Sequence, residues 1–281
     1  MENILSLWTN TLYSITRFPL LIRFKSQKIV TPTIQVDFEN DYYHIKTANT
    51  ADELLQVFNL RFEIFFQEFS GVQRNNSFFP YDIDLHDIHC DHLIVKDKST
   101  ERVIACYRLL SNPEDKIKQR PFYSEGEFVI DDFLAINGKK LELGRACVHK
   151  DFRRGPVITL LWKGLMDYSK KCGARYLFGC SSICKEDFVK VPHILQWLED
   201  RKIFIEDYNI SVQEKYRVPY VFPETEEKSS ERPINSLMYM YIMAGANMAK
   251  TMAYDAEMDC LDIFTLIDLT KIPESFERKF G

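Results

Sequence analysis

The chain has 281 residues, 46% hydrophobic and 27% charged, enough for one large domain or for one domain with extensions. Its net charge of −5 argues against general nucleic-acid binding, and no stretch nears the ~18 consecutive apolar residues of a membrane span. The seven cysteines are odd in number and lie mostly in apolar runs, which fits reduced thiols in a cytosolic protein better than a disulfide framework. Cys180 and Cys184 are four apart with no paired Cys or His motif nearby, so no metal site is expected. Twenty-one Phe and fourteen Tyr leave two readings open: an aromatic core, or an apolar tunnel for a fatty chain.

In chain order, Ile4, Leu5, Trp8, Leu12 and Ile15 fall at helical spacing, and Pro19 is expected to interrupt that helix. Arg17, Arg23, Lys25 and Lys28 follow, so the segment either rests on an anionic lipid surface or packs on the domain. It lacks the features of a signal peptide. Thr31-Pro32-Thr33 closes this arm, taken as residues 1–35, and a single domain is expected over 36–281 with an extension from about 205. Residues 43–48 read as a strand. Thr50 is placed to cap a helix over 51–69, and residues 92–95 and 103–110 form a hairpin. Residues 111–138 read as loop with a short helix near Asp131–Leu134.

Leu141–Val148 reads as a strand, 149–155 as a basic turn, 156–171 as a helix and 175–180 as the next strand. Asp187 is placed to cap a further helix through Leu198. Residues 222–233 read as a flexible polar loop, 234–250 as a Met-rich helix and 261–269 as a strand before a short end helix. Hairpins and helices around one sheet indicate α+β, arranged as three layers α/β/α with a mixed central sheet and an N-terminal helical arm.

The strand-turn-helix at 141–171 suits a thioester donor. A helix N-terminus lies beside strand N–H groups, and Glu142 supplies a carboxylate that can deprotonate an amine. The alternative for Glu142 is a salt bridge to Arg145 or Arg108. Between Lys139 and Arg175 ten Lys or Arg face only Glu142, Asp151 and Asp167, so the anionic partner expected here competes with a merely solvated helix face.

Four motifs occur in order: Arg61-x-x-x-Phe65-x-x-Glu68; Asp82-x-Asp84-x-x-Asp87 followed by His92-Leu93-x-Val95; Tyr107-Arg108-Leu109-Leu110; and Glu142-x-x-Arg145. The order resembles the acyl-homoserine-lactone synthases. Glu142-Leu-Gly-Arg-x-Cys-Val, Leu160-Leu161-Trp162, Phe178-Gly179-Cys180-x-Ser182, the Leu237–Ala246 tail, Tyr254-Asp255 and Asp262-Ile263-Phe264 more closely resemble the ornithine-lipid N-acyltransferases, a branch of the GNAT superfamily often labelled hemolysin-like. The resemblance covers about residues 50–278.

The resemblance implies a GNAT-like fold and transfer of a long-chain acyl group from a thioester to the amine of an amino acid or lyso-aminolipid. It places Glu142, Arg145, Cys147 and Val148 at the chemistry, with backbone N–H groups of Ala146 to Val148 as oxyanion donors. Arg61, Phe65, Asp82, Asp84, Asp87 and Arg108 are then an acceptor network, the alternative being a structural ion-pair cluster. Lys150, Arg153, Arg154 and Gly155 are the donor-binding turn. Pro156 and Ile158 stand where a GNAT pyrophosphate loop has glycines, which favours acyl carrier protein, with its phosphopantetheine thioester, over acyl-CoA as co-substrate. No bound cofactor is expected. The location implied is cytoplasmic or peripheral on the inner face of the membrane. Two rival readings are a homoserine-lactone-synthase-like enzyme and a non-catalytic lipid- or carrier-protein-binding module.

Overall fold

The computed structural model describes residues 16–24, 30–69, 79–111, 121–219, 222 and 232–281. The chain divides into two compact units. The first comprises Met1–Leu110, Gly144–Cys172 and Phe280; the second comprises Ser111–Leu143, Gly173–Lys279 and Gly281.

The first unit is built on β1 (Asp37–Glu39), β2 (Tyr43–Thr47), β3 (Asp91–Asp97) and β4 (Arg102–Ser111), which pair in that order, all antiparallel. Helix α1 (Ala51–Phe62) starts at Thr50, whose hydroxyl accepts the Glu53 N–H at 3.2 Å, the cap expected from the sequence. It continues as a π-helical stretch, Glu63–Glu68, so the expected single helix over 51–69 changes its winding halfway.

β3 is buried along nearly its whole length because both faces are covered. His92 lies edge-on to Phe58 of α1, 5.6 Å between ring centres. Its neighbour Asp91 accepts the Tyr168 hydroxyl of α3 (Val157–Cys172) at 2.9 Å. α1 and α3 thus sandwich the strand, since successive side chains leave opposite faces.

The predicted amphipathic positions Ile4 to Ile15 lie outside the described residues. Residues 16–24 are helical, and Pro19 lies inside this run instead of ending it. Leu21 and Phe24 are buried, with the Phe24 ring 5.2 Å from that of Phe58, so this face of the run packs on α1. Phe18 and Ile22, each 53% exposed, point away.

The second unit holds a short antiparallel pair, β5 (Phe128–Val129) and β8 (Ser211–Val212), and the first part of β6 (Lys139–Val148) with β7 (Ala174–Cys184), β9 (Asn247–Asp255) and β10 (Cys260–Asp268), in the order β6-β7-β10-β9. β6 and β7 are parallel, whereas β7-β10 and β10-β9 are antiparallel, giving the expected mixed sheet. The β6–β7 ladder ends at Glu142 opposite Phe178, although β7 runs on to Cys184. Just beyond it, a Cβ on Gly179 would come within 2.2 Å of the Leu143 carbonyl oxygen, so only glycine fits that crossing.

One apolar cluster joins Ile183, Leu261 and Ile263 to α4 (Val191–Asp200) and α5 (Ser236–Met243). Another is aromatic. Phe133 of α2 (Asp131–Ala135) is fully buried, with ring centres of Phe178 and Phe264 at 5.1 and 5.8 Å. Much of the phenylalanine content therefore makes core.

Asp187 does not cap α4: it lies in a 3₁₀ turn, Lys185–Lys190, where its carboxylate pairs with Lys190 at 2.7 Å. The Met-rich segment splits. α5 stops at Met243, Gly245 takes φ +89°, and residues 247–255 form β9. The expected polar loop at 222–233 lies mostly outside the described residues. No helix among the described residues is long and apolar enough to cross a membrane.

Candidate active site

In the first unit six of the predicted residues meet in one charge network. Arg61, wholly buried, donates from Nε to Asp82 at 2.8 Å and through both Nη atoms to Asp87 at 2.7 and 3.2 Å. Arg108 donates to Asp84 at 2.7 Å, and Arg145 donates from Nε to Asp82 at 3.1 Å. The Asp84 backbone N–H closes the loop onto Asp87 at 2.8 Å. Three guanidinium groups thus face three carboxylates.

Burial opposes the ionised forms of Asp82 and Asp84, yet the guanidinium groups hold both carboxyls below the usual range, Arg61 leading at Asp82 and Arg108 at Asp84. The Arg145 guanidinium also lies 6.0 Å from the Phe65 ring centre. Its backbone has φ +50°, an unfavourable value for a residue with a side chain. His92 sits beneath this network, 3.7 Å from Asp87, with its side chain 2% exposed. Burial lowers its pKa to about 4, so it is neutral.

The turn expected to bind the donor is divided. Lys150, Arg154 and Gly155 are exposed, but the Gly155 N–H is directed at the Phe152 carbonyl at 3.4 Å. Arg153 donates to the Val148 carbonyl at 2.9 Å, pairs with Glu68 through both Nη atoms, and covers Phe69. Cys147 is buried with its sulfur 3.4 Å from that of Cys106, and burial pushes its thiol well above the ordinary range, which leaves it unreactive. None of the seven cysteines forms a disulfide.

In the second unit Glu142 is 5% exposed and held by three donors. The Tyr123 N–H reaches Oε2 at 2.8 Å, while the Ser124 N–H and hydroxyl both reach Oε1 at 2.7 Å. The Ser124 oxygen lies 3.6 Å from Cys180 Sγ, which is 3.4 Å from Glu127 Oε2. Glu127, Cys180 and Asp262 each place a ligand-type atom within 4.8 Å of the other two.

Burial, with Asp262 and Asp255 adding to it, pushes the Glu127 carboxyl up to about 9. Sequence reasoning missed Ser124 and Glu127 altogether. Cys180 and Asp262 were visible only inside motifs, Phe178-Gly179-Cys180-x-Ser182 and Asp262-Ile263-Phe264, with no role attached. The Tyr123-Ser124-Glu125-Gly126-Glu127 turn carries no periodic signal that would single it out.

Residues 60–163 match the family model described as an acetyltransferase (GNAT) domain. The chain is 27% identical over 248 residues to the L-ornithine N(alpha)-acyltransferase of Rhodobacter capsulatus, covering 85% of this chain and 94% of that protein. It is 28% identical over 251 residues to the enzyme of the same name from Rhizobium meliloti, covering 84% of this chain and 83% of that one. Among solved structures, an N-acyl amino acid synthase from uncultured soil microbes aligns with a TM-score of 0.46 and 8% identity, over 85% of this chain and 93% of that chain. The chain carries a GNAT acetyltransferase domain and is similar along most of its length to L-ornithine N(alpha)-acyltransferases.

Proposed function

We propose that this protein is an N-acyltransferase moving a long-chain acyl group from a thioester to the amino group of an amino acid or lyso-aminolipid, with ornithine the first acceptor to test. The similarity to L-ornithine N(alpha)-acyltransferases over more than four-fifths of both chains carries this reading. The amine loses a proton and attacks the thioester carbonyl, and the oxyanion that develops is stabilised by backbone N–H groups at Ala146 to Val148. Glu142 acts as the base or orients one, and its three hydrogen bonds support an orienting role. The Arg61 network, in which each charge already has a partner, braces the first unit.

The favoured donor is acyl carrier protein. Lys150 and Arg154 are exposed and suit an acidic partner, while the Gly155 N–H is engaged within its own turn instead of facing outward to a pyrophosphate. Association with an anionic membrane surface is supported by the exposed Phe18 and Ile22 beside Arg23.

The test is incubation of the purified protein with long-chain acyl carrier protein or acyl-CoA and a panel of amines, with products read by mass spectrometry. N-acyl-ornithine formed preferentially from the carrier protein is the expected result. Reversing Lys150 and Arg154 to Glu should raise the apparent KM for the carrier protein, most strongly at low salt. A lactone product would favour the homoserine-lactone-synthase reading, and no product from any pair would favour a binding module.

A further inference from the structure

The second unit holds a concentration of buried acid that the network around Arg61 does not explain. Glu127 is 1% exposed, Asp262 4% and Asp255 7%. Glu127, Cys180 and Asp262 form one trio of ligand-type atoms, and Asp255, Cys260 and Asp262 form a second that shares Asp262. Glu127 sits at the end of the 3₁₀ turn Tyr123–Gly126, Cys180 on β7, Asp262 on β10 and Asp255 on β9, so four elements converge.

Most of these atoms have partners. Asp262 Oδ1 accepts the Ser182 hydroxyl at 2.5 Å, and Asp255 Oδ1 accepts the Glu257 and Met258 N–H groups at 2.7 and 3.2 Å. Glu127 Oε2 faces the Cys180 thiol. Glu127 Oε1 is fully buried and has no hydrogen-bond partner. A buried carboxyl oxygen left in this condition is costly unless a ligand supplies the missing partner.

We propose that Glu127 and Asp262 form the subsite that holds the ammonium group of the acceptor, and that Glu127 takes the proton this ammonium must lose. The inference rests on the N-acyltransferase reading. An ammonium is the cation that fits the donor set: it needs acceptor oxygens, which the carboxylates offer.

The subsite connects to Glu142. The Ser124 hydroxyl donates to Glu142 and lies against Cys180, which in turn contacts Glu127. Glu142 is therefore a positioning residue in this scheme, fixing the turn from which Glu127 projects. Cys180 also lines a small cavity with Leu143, Tyr241 and Thr265.

The groups acting on Glu127 are Asp262, Asp255, Cys180 and Tyr123, and burial with the two aspartates keeps its carboxyl protonated near neutral pH. Arrival of R–NH₃⁺ replaces that proton, which leaves to solvent. The bound ammonium then passes one proton to the Glu127 carboxylate. The neutral nitrogen attacks the thioester carbonyl carbon, the C–N bond forms, the C–S bond breaks, and the thiolate leaves with the second nitrogen proton as a free thiol. The products are the amide, the thiol and one proton.

The experiment is calorimetric titration of the full-length protein with L-ornithine, L-lysine and glycine near neutral pH, in two buffers of different ionisation enthalpy, with acyl transfer assayed in parallel. An amine should bind with release of close to one proton. Glu127→Gln should abolish the release and weaken binding about tenfold or more, and Asp262→Asn should weaken binding to a similar degree. If Glu127→Gln does not fold, Asp262→Asn decides the matter.

Binding without proton release, wild-type affinity in the folded variants, or no binding of any of the three amines overturns the subsite. Proton-linked binding without acyl transfer would sink the transferase reading and leave the subsite standing. Transfer with an unchanged amine KM in Glu127→Gln would do the reverse.

Discussion

Arg61 and Asp87 meet fork to fork, with Nη1 to Oδ1 at 2.7 Å and Nη2 to Oδ2 at 3.2 Å, and neither side chain is exposed at all. A bidentate pair of this kind fixes the relative tilt of two groups as well as their distance. It joins α1 to the turn before β3, and Asp82 and Asp84 extend the join to Arg145 and Arg108.

Removing Arg61 should therefore be severe. Arg61→Met would leave Asp82 and Asp87 buried with only part of their compensation, at a cost of about 3–5 kcal/mol. Arg61→Lys should cost less, since it keeps the charge and loses only the fork. Urea unfolding of both variants checks the order. A Met variant as stable as the parent would show that the network contributes nothing to folding.

Glu142→Gln should lower turnover by ~10²-fold or more. With its oxygen kept toward Ser124, the amide turns an NH₂ group toward the Tyr123 N–H, so that donor is left unmet. Steady-state kinetics on the folded variant test this, and near-normal turnover would remove Glu142 from the mechanism.

Gly179→Ala should be among the most damaging small changes in the chain. The added methyl would lie 2.2 Å from the Leu143 carbonyl oxygen, backbone that cannot rotate away. A loss of about 3 kcal/mol or more, or failure to fold, is expected from such overpacking. A melting temperature within a degree or two of the parent would show that the strands can part there at little cost.

Two buried groups give opposite pH dependence. His92 has its pKa lowered to about 4, so the unfolded chain binds its proton first; the stability from keeping it neutral is present above its ordinary range and is lost as pH falls through 4. Glu127 has its pKa raised to about 9, so the folded chain holds the proton longer; that contribution is present at low pH and fades as pH rises toward 9. Below neutrality the two offset. Above it, stability should fall by up to about 1.4 kcal/mol per pH unit, and Glu127→Gln should flatten this alkaline slope. Denaturant midpoints from pH 5 to 9 would reveal it.

Phe18 and Ile22 expose their apolar sides one helical turn apart, while Leu21 and Phe24 anchor the same run. Replacing both exposed residues with Ser should abolish binding to anionic vesicles without lowering the melting temperature. A co-sedimentation assay separates the two effects. Unchanged vesicle binding would assign the contact elsewhere.

Legibility in the sequence followed the range of each signal. β3, β4, β6 and β7 were readable as apolar runs, and Thr50 as a cap, because each is local. The segment from 234 to 250 is apolar almost throughout, so periodicity could not show that helix gives way to strand after Gly245. The charge network was readable only through the family resemblance that its ordered motifs carry, because its arginines and aspartates are scattered from residue 61 to residue 145. Glu127 was not, since its partners Cys180 and Asp262 lie on strands far along the chain and only folding brings them together.

Arg145 occupies a backbone conformation that disfavours any side chain, at a cost of about 1–2 kcal/mol. Its guanidinium is meanwhile committed to Asp82, to Asp84 at 3.6 Å and to Phe65. The position is therefore closed to drift from both directions. Glycine would relax the main chain and unseat two aspartates, while lysine would keep the charge and lose the shape. A descendant of this sequence can leave arginine here only by rebuilding residues 82–87 at the same time, so these two segments are expected to change together or not at all.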